Sequence, residues 1–215
     1  MRITDISPTK RGRWSIYVDG EFKGVLHSDI YIRSGLKVGD EVQEPVLEDM
    51  LRDSEQLIAR EKAIKLLSGR AYTAQGLYEK LVERVGENAA TSAVSRMIEI
   101  GLLDDRDYAR RYTADGLNIR GHSHSRIARE LRQKGIEHKI IDEVIGGFEE
   151  DTETLIARLA IKKYRRYLQT EAGRKKTIDS MIRRGFHYAY IRKVIDNLCE
   201  DPNYYEGWPD EETPR

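Results

Sequence analysis

Apolar positions along most of the chain recur at three and four, in short runs separated by glycine. Leu57, Ala63, Ile64 and Leu67 predict one helix, Leu77, Leu81 and Val82 a second ended by Gly86, and Val94, Met97 and Ile98 a third ended by Gly101. The next stretch repeats this grammar. Asp104 stands at a helix N-cap position with Asp105 and Asp107 in the first turn, where the helix dipole favours acids, and Tyr108, Ala109 and Tyr112 follow. Ser123 or Ser125 can cap a second helix bearing Ile127, Ala128 and Leu131. That helix stops at Lys134-Gly135, and Ile136 suits the apolar contact of a Schellman ending. Ile140, Ile141, Val144, Ile145 and Phe148 make a third helix. A further copy has Leu155, Ile156, Leu159, Tyr164 and Tyr167, then Ile178, Met181 and Ile182 ended by Arg184-Gly185-Phe186, then Ile191, Val194, Ile195 and Leu198. Gly86, Gly135 and Gly185 stand 49 and 50 residues apart, the self-similarity of a tandem array.

The first forty residues have another texture. Trp14 to Val18 is rich in strand formers, Asp19-Gly20 is a type I′ turn signal, and Phe22 to Leu26 returns, which predicts a hairpin; Ile3 to Ile6 is compatible with a further short strand. Pro45 to Asp53 begins an acidic helix leading into the first repeat. The expected fold is therefore mainly α: three tandem three-helix, helix-turn-helix-like repeats in an elongated array, with a small N-terminal β-hairpin unit that serves as a cap on the array or, alternatively, as a second binding contact. The expected boundaries are residues 1–44 for the hairpin extension, 45–103, 104–149 and 150–200 for the repeats, and 201–215 for a mobile acidic tail. Helices of about a dozen residues are each roughly 18 Å long.

Composition supports thin helical units over one thick core: 39% of residues are hydrophobic, 34% are charged, and there are three Phe in 215 residues. The single cysteine, Cys199, excludes an intrachain disulfide. No apolar run has the length of a membrane span or a signal peptide, so a cytoplasmic protein is expected. The formal net charge of zero hides an asymmetry. Residues 40–61 hold eight acids against two bases, residues 151–200 twelve bases against six acids, and residues 201–215 five acids against one base. Such polarity suits a partner of alternating sign and gives salt-sensitive attraction.

Reactive chemistry is hard to assemble. Asp104 and Asp105 would point about 100 degrees apart on a helix, so capping explains them better than acid–base work. His122 and His124 lack further metal ligands in sequence, Cys199 at a helix end suits packing, and neither a Walker loop nor a dinucleotide fingerprint occurs. The expectation is no enzyme, no cofactor and no metal. The basic clusters are the remaining signal. A single exposed Arg is ordinarily a solvated helix face, but Arg110, Arg111, Arg126, Arg129, Arg132, Lys162, Lys163, Arg165, Arg166, Arg174, Lys175, Lys176, Arg183 and Arg184 are too concentrated for that reading to cover them all, and they form the candidate face for an anionic partner. Arg158, Lys162 and Arg165, at spacings of four and three, predict one charged stripe. Autonomous DNA binding is the alternative, although the predicted third helices are rich in core residues and poor in groups that read base edges.

Leu102-Leu103-Asp104-Asp105-x-x-Tyr108-Ala109, followed by Gly121-x-x-x-x-Arg126-Ile127-x-x-x-Leu131-x-x-Lys134-Gly135-Ile136, resembles the signature of the RecX family, which regulates the recombinase RecA. The likeness covers about residues 55–200 and is strongest in the middle repeat. It implies a non-enzymatic modulator that binds RecA, especially its filament on single-stranded DNA; the protein itself is expected to be a monomer. It also implies inhibition of strand exchange, ATP hydrolysis and coprotease activity, with at most weak, non-specific contact to the DNA phosphate backbone and no membrane partner.

Overall fold

The computed structural model describes residues 1–148 and 150–201. The chain is mainly α-helical, with one small antiparallel sheet at its N-terminal end. It divides after Asp104 into two compact units. The expectations for residues 202–215, including the mobility of the tail, lie outside the described residues.

In the first unit, strands β1 (Ile3–Pro8), β2 (Trp14–Val18) and β3 (Glu21–Leu26) form a meander in that order. Asp19 and Gly20 both take positive φ, as the turn signal requires, and Ile3–Pro8 extends the expected hairpin to three strands. Helix α1 (Ser28–Ser34), capped by His27 and ended by a left-handed Gly35, was not legible in the apolar pattern because it buries no residue.

Helix α2 (Glu44–Leu67) is one continuous rod and serves two cores. Its first half packs Leu47, with Met50 and Leu51, against Ile3, Ile16, Val18 and Leu26 of the sheet. Its second half packs Ala59 and Ala63 against α3 (Ala74–Val82) and α4 (Glu87–Glu99). The sheet is thus built onto the first repeat through a shared helix. Glu61 of α2 strengthens the join, taking Arg13 Nη2 at 3.2 Å and standing 2.8 Å from His27 Nε2. Ala59 and Ala63 share a core with Ala89, Ala90 and Ala93, all essentially inaccessible, so small side chains make up much of the buried surface of these two helices. Ile64 and Ile98, expected in this core, are about half exposed instead, because the alanines define the buried stripe.

In the second unit, α5 (Asp105–Asp115), α6 (His124–Gln133) and α7 (His138–Gly146) are followed by α8 (Thr152–Leu159), α9 (Glu171–Arg183) and α10 (Tyr188–Glu200). Both first helices run into a π-helical turn, Gly116–Arg120 after α5 and Ala160–Tyr164 after α8. Of the two candidate caps for α6, Ser123 does the work, its Oγ accepting from Arg126 N at 3.2 Å. The Schellman endings form as expected. Gly135 and Gly185 have φ of 80° and 91°, Ile136 N donates to Leu131 O, Phe186 N donates to Met181 O, and both apolar residues are buried.

Gly86 does not match them: its φ is −63°, it is the N-cap of α4, and its N–H donates to Glu55 Oε1 at 2.9 Å. The first repeat therefore shares the period but not that turn. The two later repeats share one core, in which Ile127, Leu131 and Ile141 join Ile156, Met181, Ile191 and Ile195.

Candidate basic binding face

The cationic residues of the last repeat are arranged by one corner. Asp151 caps α8 by accepting from Thr154 N at 2.9 Å, a bond that holds its carboxyl below the usual range. From there Leu155, Ile156, Ala157, Leu159 and Ala160 anchor the helix in the core. The π-helical turn adds a residue to the helical period and a short 3-10 turn at Tyr167–Gln169 follows, so the stripe expected through Arg158, Lys162 and Arg165 is broken. Arg158 pairs with Glu150 at 2.9 Å, while Lys162 and Arg165 point to solvent beyond the turn.

Thr170 caps α9 by accepting from Gly173 N, and Thr177 Oγ1 donates to Gly173 O at 2.9 Å. A Cβ at Gly173 would stand 2.0 Å from the Tyr167 carbonyl oxygen, so only glycine lets α9 start pressed against the preceding turn. That contact joins the segment bearing Lys162, Lys163, Arg165 and Arg166 to the start of the helix bearing Arg174, Lys175 and Lys176. All seven are exposed, and none forms an ion pair among the described residues; Lys163 alone has a polar contact, 3.4 Å to Ile119 O. Seven like charges on fifteen residues repel one another, a cost that a purely structural surface has no reason to carry.

The other expected residues divide differently. Arg110 and Arg111 share Asp107 on their own helix, at 3.9 Å for Arg110 and in direct hydrogen-bond contact for Arg111. Such exposed pairs contribute little to stability, about 0–1 kcal/mol. Arg129, Arg132 and Arg183 face solvent with no ion pair among the described residues. Arg126 and Arg184 are half-buried ties within the unit. Arg126 Nε donates to Glu130 at 2.8 Å and its Nη1 to the Arg183 carbonyl. Arg184 Nη1 donates to Ser180 O at 3.1 Å and its guanidinium lies 5.8 Å from the Tyr164 ring centre. Seven of the fourteen are thus exposed without an ion pair on the segment 162–176, and two belong to the fold.

Glu130, absent from the sequence-based set, organises the middle repeat. It accepts from Arg126 and from Tyr112 Oη at 2.9 Å, and Arg120 stacks 4.2 Å over the Tyr112 ring. Burial works to raise its pKa, but the hydrogen bonds from Arg126 and Tyr112 outweigh it and hold the carboxyl below the usual range. His122 Nδ1 stands 3.5 Å from Glu130 but makes no hydrogen bond. Burial, then the nearby Arg126, pushes its pKa down, so the ring is neutral near pH 7. The spacing Arg126-x-x-x-Glu130 is the signal that could have revealed this pair. Cys199 is exposed rather than packed: α10 turns Leu198 inward, and the next residue points away, its Sγ 4.0 Å from Leu168 O. Among the described residues, no group of His, Cys, Asp and Glu could hold a metal, and no helix is long and apolar enough to cross a membrane.

The fold and this face define a class: a protein of consecutive three-helix units, headed by a small sheet, with a concentrated cationic corner in its last unit. Residues 104–145 match the family model for the second three-helix domain of RecX. Over 94% of its length the chain is 29% identical to the regulatory protein RecX of Clostridioides difficile, of which it covers 98%. Over 95% it is 28% identical to that of Bacillus cytotoxicus, of which it covers 83%. A crystal structure of a regulatory protein RecX superposes with a TM-score of 0.63 at 26% identity, covering 91% of this chain and 98% of that one. That of RecX from Lactobacillus salivarius shares the fold at a TM-score of 0.56 over 67% of this chain and 96% of that one. In sequence along nearly its whole length, and in fold, the chain is similar to the RecX regulatory proteins.

Proposed function

We propose that this chain is a negative modulator of RecA, acting without catalysis of its own by binding the RecA filament on single-stranded DNA and slowing its strand exchange, ATP hydrolysis and coprotease activity. The observation that carries the reading, beside the family likeness, is the segment Lys162–Lys176: seven exposed cations on either side of the Gly173 contact, left without acidic partners among the described residues. A surface of that kind fits acidic protein surface or a phosphate backbone. The third repeat, residues 150–200, is the part that makes the principal contact, and the protein works as a cytoplasmic monomer. Affinity comes from many dispersed contacts, so single substitutions weaken it modestly and combined reversals strongly.

Autonomous DNA reading is the less supported alternative. Helix α7 exposes Asp142 and Glu143, with Asp142 paired to His138, and acids on that face would repel a DNA groove. The test is RecA filament ATPase titrated with the protein, alongside binding to bare DNA of varied sequence. Inhibition at stoichiometric protein with weak, sequence-independent DNA binding is expected. Tight sequence-dependent DNA binding with unchanged ATPase would reverse the choice.

A further inference from the structure

The first unit gathers cations that lie far apart in sequence around one stretch of α2. The loop at residues 9–13 is closed by Thr9 N donating to Arg13 O at 2.7 Å and Arg13 N to Thr9 Oγ1 at 3.1 Å, and Ser28 Oγ donates to Gly12 O. Arg13 then reaches α2 through Glu61, at 3.2 Å. The connection between α3 and α4 is tied to the same helix twice: Gly86 N donates to Glu55 Oε1 at 2.9 Å, and Lys62 Nζ donates to Arg84 O at 2.8 Å. The Lys62 ammonium thus lies within the fields of Arg13, Arg11 and Arg84. Its partial burial and these like charges hold its pKa below the usual lysine range, and the Glu55 carboxylate, which works the other way, does not offset them.

The nearby carboxylates are already committed. Glu61 serves Arg13 and His27, Glu55 serves the Gly86 N–H, and Glu83 pairs with Lys80 at 2.6 Å. Arg11 and Arg84 are exposed with no ion pair among the described residues, and Lys62 spends one of its three donors on Arg84 O. Neither residues 9–13 nor residues 83–86 expose a large apolar side chain of the kind that anchors a protein partner. We infer that Arg11, Lys62 and Arg84, with Arg13 adding to their field, form an anion site that takes phosphates of a nucleic-acid backbone. Guanidinium groups meet phosphate oxygens two N–H groups at a time, the ammonium adds a point charge, and a polymer charged at every nucleotide can meet cations held on separate segments. Such contacts fix where a strand lies and carry no sequence preference. The site lies in the first unit and does not depend on the reading of residues 162–176.

The test uses the full chain, modified by limiting phenylglyoxal at about 50 mM salt with oligothymidylate or polyglutamate added at equal charge concentration, the rate at each arginine being read by mass spectrometry. Saturating oligothymidylate slows modification of Arg11 and Arg84 at least about threefold and leaves Arg33, an exposed arginine of the same unit, unchanged, whereas polyglutamate protects none of them. In the full-chain variant K62Q, first shown by circular dichroism to be as helical as the unaltered chain, that protection drops to less than about half. The slope of log affinity for oligothymidylate against log salt becomes shallower there by about 0.7, the loss of one phosphate contact. Unprotected Arg11 and Arg84 would overturn the proposal, and so would equal protection at Arg33 or an unchanged slope in K62Q. Equal protection by polyglutamate would also overturn it, marking a surface for acidic protein instead. No RecA is present, so a failure here is distinct from a failure of the functional reading.

Discussion

At Gly185 two parts of the second unit meet with no room for a side chain. A Cβ there would lie 2.6 Å from both Arg126 Cβ and Ser123 Oγ, and φ is +91°, which disfavours any other residue. Around it Ser123 Oγ donates to Gly185 O at 2.7 Å and Ser123 N to Arg184 O at 3.0 Å. Gly185→Ala should therefore cost about 2–4 kcal/mol of unfolding free energy in urea. Gly146→Ala, where a Cβ meets nothing and φ is negative, should be neutral or slightly stabilising. The charged residues give a pH signature. His122 and His124 both have pKa values lowered by burial, so the native state binds fewer protons than the unfolded chain. Their penalty appears as pH falls through the ordinary histidine value of 6.5. Glu130 is also lowered, and its stabilisation, present above the ordinary value of 4.5, is lost only below it. Urea unfolding between pH 7 and 5 should show stability falling with acid, and His122→Asn with His124→Gln should flatten that slope. A slope unchanged in the double variant would contradict the assignment.

Among the elements, the helices of the second and third repeats were legible because large apolar residues define their stripes: Ile127 and Leu131, or Ile191, Val194, Ile195 and Leu198, are all buried. The α2–α4 packing was not legible for the opposite reason. Alanines carry weak hydrophobic signal, yet Ala59, Ala63, Ala89, Ala90 and Ala93 make the contact, and the larger Ile64 and Ile98 are left half-exposed. Ala90→Leu should overpack this crossing and cost about 1–3 kcal/mol, whereas Ile98→Ala should change unfolding free energy little. The basic corner was legible as composition but not as geometry. Charge counting cannot distinguish Arg126 and Arg184, which tie backbone carbonyls, from Arg165 and Lys175, which face solvent. That division depends on the π-helical turn and on Gly173, whose role is a steric fact of the folded chain.

At the scale of the whole molecule, a net charge of zero is divided among segments of opposite sign, with the cations concentrated where the last repeat turns and acids on the segment that follows it. The division suits a regulator that acts by contact, with attraction that weakens as ionic strength rises. The most direct measurement is ATP hydrolysis by RecA filaments titrated with the unaltered chain and with the variant R165E/R166E/K175E/K176E, after circular dichroism has shown that both are equally helical. The account predicts inhibition by the unaltered chain and a loss of at least about tenfold in inhibitory potency for the variant, as removal of several dispersed charge contacts implies. Equal inhibition by the two proteins would contradict the claim that this corner meets the filament.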